Sequence, residues 1–303
     1  MNQICFIVGL FIFIFLSGCS SLVISSALPL EFGERQVLGK VELDDLEEIS
    51  GLAASQRHQG VLWAHNDSGD GSHLYALSET GKHIAMYQVR GCWAFDWEDI
   101  AIGPGPESGV SYLYIGDIGD NRALRPFIQI CRVAEPNLMP SSGTDLQGEM
   151  ITLQYPEGPR DAEALMVDPL DKSIVIVTKR EKNVSVFQAA YPHKLSEPMM
   201  LQNIARLPIS KVTAADISPD GLGVLVMTTR QVFLWRRASP KEPMSAMFQR
   251  SPVSIASYRR ELQDEAIGWA SGGRGFYTAS EELLGLEAKI NFYPRSASEA
   301  LTP

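Results

Sequence analysis

The sequence is short of positive charge, short of cysteine and nearly devoid of helical periodicity, and each shortage removes a class of protein. Lys plus Arg number 26 against 36 for Asp plus Glu, a net charge of -10. Such a surface repels phosphate backbones and anionic headgroups, which points away from nucleic acid. The four cysteines form no CxxC pair and stand in no His/Cys spacing of the zinc type. A GxSxG elbow, an HExxH helix and a phosphate-binding P-loop are all missing, so none of those chemistries has its usual framework. What is present is 303 residues with 45% apolar, 9% aromatic and 20% charged side chains. That composition buries a core, and the length holds two ordinary domains or one large all-β domain.

Residues 4–16 form an apolar run too short to span a bilayer as a helix and of the right length for the core of a signal peptide. The run ends in Leu16-Ser17-Gly18-Cys19, which resembles the lipobox of bacterial lipoproteins. The resemblance implies removal of residues 1–18, acylation of Cys19 and attachment to a membrane through the lipid. Ser20 after the cysteine implies the outer membrane of a Gram-negative cell, with the protein facing the periplasm. Met1-Asn2-Gln3 departs from such signals in lacking a Lys or Arg, and a short N-terminal membrane anchor is the other reading. Residues 19–34 then read as a tether and residues 35–303 as one folded domain. Cys92 and Cys131 remain for an oxidising compartment, as a disulfide or as two buried thiols.

The mature chain repeats itself. Short runs rich in Val, Ile, Leu, Tyr and Trp alternate with Gly, Pro, Asp and Asn clusters, which is an all-β pattern. Five similar phrases recur: Ile49-Ser50-Gly51-Leu52, Trp97-Glu98-Asp99-Ile100, Ala162-Glu163-Ala164-Leu165, Ala214-Ala215-Asp216-Ile217 and Glu265-Ala266-Ile267-Gly268. Each precedes a very apolar strand and then an amphipathic one, at a spacing that suits four-stranded propeller blades. The fifth set ends one strand short, and residues 35–43 are the natural supplier of that strand. A five-bladed β-propeller closed by its N-terminal strand is expected, with six blades as the alternative if the long interval after the second phrase hides another.

In that fold the starts of first strands and the ends of second strands share one face of the disc. Aligning the phrases on Leu or Ile places Ser50, Glu98, Glu163, Ala215 and Glu265 at one level of the channel. Clustered carboxylates need protons or a cation, and hard oxygen donors suit Ca²⁺; backbone capping and Arg pairing are the plainer role for the same acids. The loop from Asn66 begins like an EF-hand but has Leu77 at its twelfth position, so it fails that motif. Tyr114-Ile115-Gly116-Asp117-Ile118-Gly119-Asp120-Asn121-Arg122 is more specific, because its glycines allow close backbone approach beside oxygen donors. Lys179, Arg180, Arg122 and Arg230 fall on the same face. Trp93 or Trp97 is a candidate ligand platform.

The phrases around Asn66, Asp96, Tyr114 and Asp161 resemble a group of bacterial extracytoplasmic propellers akin to phytase-like and esterase-like proteins. The resemblance covers about residues 48–181. It implies channel acids that hold Ca²⁺ and bind a substrate phosphate, with Lys and Arg nearby. On this reading Ser50, Glu98, Glu163, Glu265, Asp117 and Asp120 are metal ligands, and Glu98, Glu163, Arg122 and Lys179 carry catalysis. The expected function is a calcium-dependent envelope hydrolase of a phosphoester or related anionic ester. A non-enzymatic propeller that binds a small anionic ligand or an envelope protein is the alternative.

Overall fold

Short apolar runs between Gly, Asp and Pro turns pair with their sequence neighbours, because most connections are short and return the chain antiparallel beside itself. The computed structural model describes residues 31–67, 69–138, 144–261, 264–282 and 287–296. The apolar run at residues 4–16, Cys19 and Ser68 lie outside the described residues. β1 (Gln36–Lys40) comes first in the chain and joins the last blade. Blade one is β2 (Ile49–Ala54), β3 (Val61–Asn66), β4 (His73–Ser78) and β5 (His83–Arg90). Blade two is β6 (Trp97–Pro104), β7 (Ser111–Asp117) and β8 (Ile128–Ala134); β9 (Thr144–Gln147) then crosses back to run parallel with β5, and β10 (Glu149–Gln154) completes blade two. Blade three is β11 (Ala162–Val167), β12 (Ile174–Thr178) and β13 (Val184–Ala189); β14 (Met199–Met200) pairs parallel with β10, and β15 (Gln202–Leu207) is the fourth strand. Blade four is β16 (Val212–Ile217), β17 (Gly223–Thr228), β18 (Val232–Arg236) and β19 (Val253–Ser254). Blade five is β20 (Asp264–Trp269), β21 (Gly275–Ser280), β22 (Lys289–Pro294) and β1.

The innermost strands β2, β6, β11, β16 and β20 pack on one another in that order, and β20 returns to β2. The molecule is therefore a closed ring of five blades. The long interval after the second phrase holds β9, an added edge strand, and no sixth blade. Buried apolar side chains collect in five clusters, one at each blade seam. Trp63 and Trp97 fill the seam between blades one and two, and Trp235 that between three and four. Each such side chain contributes roughly 1.5–3 kcal/mol by burial. Among the described residues no helix is long and apolar enough to cross a membrane.

Ring closure uses the strand expected for it. β1 runs antiparallel to β22, and Gly39 and Gly81 let it press against the β4–β5 turn of blade one. A Cβ on Gly39 would overlap the Thr80 carbonyl oxygen, and one on Gly81 the Lys40 carbonyl. The fold starts earlier than Arg35: Phe32 is buried between Trp269 and Phe276, with ring centroids 5.7 and 4.8 Å away. An aromatic there was not legible as core because the surrounding tether has no strand period.

Cys92 follows β5 and Cys131 lies on β8, and the two form a disulfide with Cα atoms 5.8 Å apart. It staples blade one to blade two across a separation of 39 residues. Cross-linking a loop of that length removes denatured-state entropy equivalent to about 4 kcal/mol. Reduction, or Cys92→Ser with Cys131→Ser, is expected to lower unfolding free energy by about that amount in urea. An unchanged midpoint would show that the bridge does not form in solution.

Candidate functional site

All five inner hairpins carry a one-residue bulge at the same place. The register shifts fall between Ile49 and Gly51, Trp97 and Asp99, Ala162 and Ala164, Val212 and Ala214, and Asp264 and Ala266. A bulge leaves its extra residue outside the ladder and re-aims it. Those residues are Ser50, Glu98, Glu163, Thr213 and Glu265. Ala215, expected at this level, is corrected to Thr213; Ala215 lies two residues further along β16 and donates its N–H to Asp99 Oδ2 at 3.3 Å. The slip has a physical cause. Blade four keeps Ala215 where the others have Leu52, Ile100, Leu165 and Ile267, and a shift of two preserves the strand's apolar face, so alternation alone does not reveal it.

The two hydroxyls at this level tie blades together. Ser50 Oγ donates to the Glu98 carbonyl at 2.5 Å, and Thr213 Oγ1 to the Asp264 carbonyl at 3.3 Å. The glutamates turn to the mouth of the channel. Carboxylate oxygens of Asp67, Asp96 and Glu98 approach within 4.8 Å of one another, and so do those of Glu98, Asp161 and Glu163. Glu98 belongs to both groups and is buried. Gly119 lets the loop backbone sit against both groups, since a Cβ there would displace the Glu98 and Asp96 carboxylates.

Burial, reinforced by the negative charge of Glu163, Asp67 and Asp96, holds the Glu98 carboxyl far above its ordinary range, and it hydrogen-bonds Glu163. Burial also raises Glu163, against the pull of Lys179. Asp96 is pushed up to about 6 by burial and Asp67. Glu265 and Glu281 rise to about 7, each first by burial and then by neighbouring carboxylates. Desolvation opposes the Lys179 charge, but Glu163, Glu265 and Glu98 more than offset it.

Other expected site residues are brought near but are occupied. Asp117 accepts the N–H groups of Phe95 and Asp96 and pairs with Arg125 at 2.7 Å. Asp120 accepts from the N–H groups of Leu124 and Arg125 at 2.9 and 2.7 Å. Both acids therefore shape the β7–β8 loop. Lys179 pairs with Glu163 and Arg180 with Asp161. Arg122 is exposed, and Arg125, three residues on, reaches Asp117 in its place. Arg122 is the nearer to the strand end in sequence, but the Asp120 turn brings Arg125 back. Asn66 donates to the Asp45 carbonyl and to Asp70, as expected of an Asp/Gly-rich turn. Trp97 is core, whereas Trp93 and Phe95 are 74% and 70% exposed at the rim.

Below the mouth the channel is plugged. The position after the bulge is Gly51, Ala164, Ala214 or Ala266 in four blades and Asp99 in the other. Asp99 is fully buried, and its Oδ2 accepts the N–H groups of Leu165 at 2.9 Å and Ala215 at 3.3 Å. One carboxylate thus links blades two, three and four, and the mouth is a blind acidic funnel.

No protein-family model and no curated protein matches the chain. Among solved structures it aligns with the WD40 repeats of RRP9, at 10% identity and a TM-score of 0.42, covering 87% of this chain and 98% of that one.

Proposed function

We propose that the funnel is a divalent-cation site, suited to Ca²⁺, through which the protein engages an anionic ester and hydrolyses it. The observation that carries the reading is the sharing of buried Glu98 between two carboxylate groups. Ionised together, these groups require a cation. The donors are all carboxylate oxygens, the chemistry that suits a hard ion tolerant of irregular geometry. Asp67, Asp96, Glu98, Asp161 and Glu163 would hold it, and a bound cation would polarise a phosphoryl or carbonyl oxygen. Asp117 and Asp120, already taken up by backbone N–H groups and Arg125, would position the loop beside the cation. Lys179 lies beside Glu163, where a cation's arrival frees it to hold a ligand's negative charge. The disulfide agrees with an oxidising compartment, and so with an envelope lipoprotein anchored at Cys19.

Binding without turnover is favoured by a different observation. Lys179, Arg180 and Arg125 are all engaged by acids, and exposed Trp93 and Phe95 give the rim an apolar platform. Metal analysis and calorimetry, followed by a phosphoester and ester panel with and without chelator, separate the readings. Ca²⁺ uptake with chelator-sensitive turnover supports hydrolysis, and uptake without turnover supports a binding module. Glu163→Gln is expected to weaken Ca²⁺ binding at least tenfold, since a charged ligand is worth more than about 1.4 kcal/mol, while Glu107→Gln on the far face changes nothing. Absence of Ca²⁺ uptake overturns the proposal.

A further inference from the structure

One cleft on the face opposite the funnel gathers three arginines. Between blades four and five a cavity of about 160 Å³ is lined by Arg236, Arg237, Arg295 and Trp269, with Glu31 and Asp220 as its acids; Asp220 is taken up by the Ser218 hydroxyl and the Leu222 N–H. The volume is far more than the roughly 10–15 Å³ one water requires. Trp269 ends β20 and is buried, yet its indole Nε1 has no hydrogen-bond partner. Buried Arg237 gives two of its nitrogens to Asp168 and the Gly221 carbonyl and leaves Nε unpartnered. An unmet buried donor costs about 1–3 kcal/mol, so two beside one cavity call for an acceptor.

The chain supplies a carboxylate at the entrance. Glu31 pairs with Arg236 and stands 3.7 Å from Arg295. Its backbone is fixed because Phe32 is buried, Phe32 bridges Arg295, and the Ser296 N–H donates to the Glu31 carbonyl at 2.8 Å. Burial and the neighbouring Arg295 both lower the Arg236 pKa, a strain on two close guanidiniums that an anion relieves.

We propose that this cleft is an oxyanion site, taking a small phosphate or carboxylate on Arg236, Arg295 and the Trp269 indole N–H, with Glu31 as a built-in competitor for the two arginines. A planar guanidinium fork matches either oxyanion, and the indole donor fixes its depth in the cleft. The site is independent of the cation funnel, which lies on the opposite face.

The test is titration of the ¹⁵N-labelled full chain with inorganic phosphate and, separately, with acetate. The readout is the indole N–H resonance of Trp269, assigned with Trp269→Phe. Saturable movement is expected in the wild type. Glu31→Gln should tighten it about tenfold, by removing one charge-assisted competitor, and Arg236→Gln should abolish it. The buried Trp269 ring reports folding in the Glu31 and Arg236 variants, and the wild type with Arg236→Gln suffices if Glu31→Gln does not fold. An indole resonance unmoved up to the solubility limit of both anions, or moved equally in Arg236→Gln, overturns the site.

Discussion

Removal of residues 35–43 is expected to eliminate soluble monomer. β1 is the fourth strand of blade five, and without it the N–H and C=O groups of β22 facing β1 become an open edge. That edge is apolar, for Ile290, Phe292 and Tyr293 are all buried in the intact ring. Unprotected apolar edges recruit other chains, and here Leu38, Val41 and Leu43 also vanish from the seam with blade one. The loss exceeds a strand's own contacts, because the seam between the ring's ends is then left to β20 and β21 against β2 and to the contacts of Glu79 and Glu47 with blade five. Size-exclusion chromatography and near-ultraviolet dichroism should show aggregate in place of a sharp monomer. Gly39→Val tests the same closure without shortening the chain: the new side chain overlaps the Thr80 carbonyl, so melting should fall while composition is nearly unchanged. A synthetic peptide of residues 35–43 added during refolding should recover monomer from the truncated chain. A truncation that stays monomeric with wild-type melting would show that closure lies elsewhere.

Blade count and closure were legible because both rest on local pattern. Each blade repeats one phrase and one very apolar strand, and the missing fourth strand could only come from the N-terminus. The level of Ser50, Glu98, Glu163 and Glu265 was legible for the same reason. Thr213 was hidden, since a two-residue slip leaves the apolar face of β16 intact and only the bulge at Val212 and Ala214 fixes its register. Arg125 was hidden because its reach to Asp117 depends on a turn stabilised by Asp120. The role of Asp99 required knowing which strand lies across the channel. The arginine cleft required the return of Glu31 to Arg236, a contact across 205 positions that no local pattern encodes.

Stability in chelator is expected to fall steeply from about pH 4 to pH 7, and Ca²⁺ to restore only part of it. Asp216 rises from 3.8 to about 7 through burial, although it accepts the N–H groups of Ile217 and Trp269. Asp96 rises to about 6, and Glu265 and Glu281 to about 7. All four have folded pKa values above their unfolded ones. Between about pH 4 and pH 7 the folded chain therefore holds more protons than the unfolded chain, and stability drops as pH rises through that window. Asp216 alone accounts for a loss on the order of 4 kcal/mol at 1.36 kcal/mol per pKa unit. Glu98, raised by burial and by its acidic neighbours, extends the same trend. A cation in the funnel neutralises the mouth acids but not Asp216, which lies on β16 and bonds the Trp269 backbone at the other end of the inner strand. At one hundred times its dissociation constant Ca²⁺ should return about 2.7 kcal/mol at pH 8 and much less at pH 5, where protons compete for the same oxygens. Asp216→Asn should flatten the remaining slope in the presence of Ca²⁺ and leave the size of the Ca²⁺ response unchanged. Melting curves across this pH range, with Ca²⁺ or chelator, measure both effects. Profiles that coincide with and without Ca²⁺ would leave the mouth acids to protons and Lys179 alone, and a slope untouched by Asp216→Asn would assign the whole pH effect to the funnel.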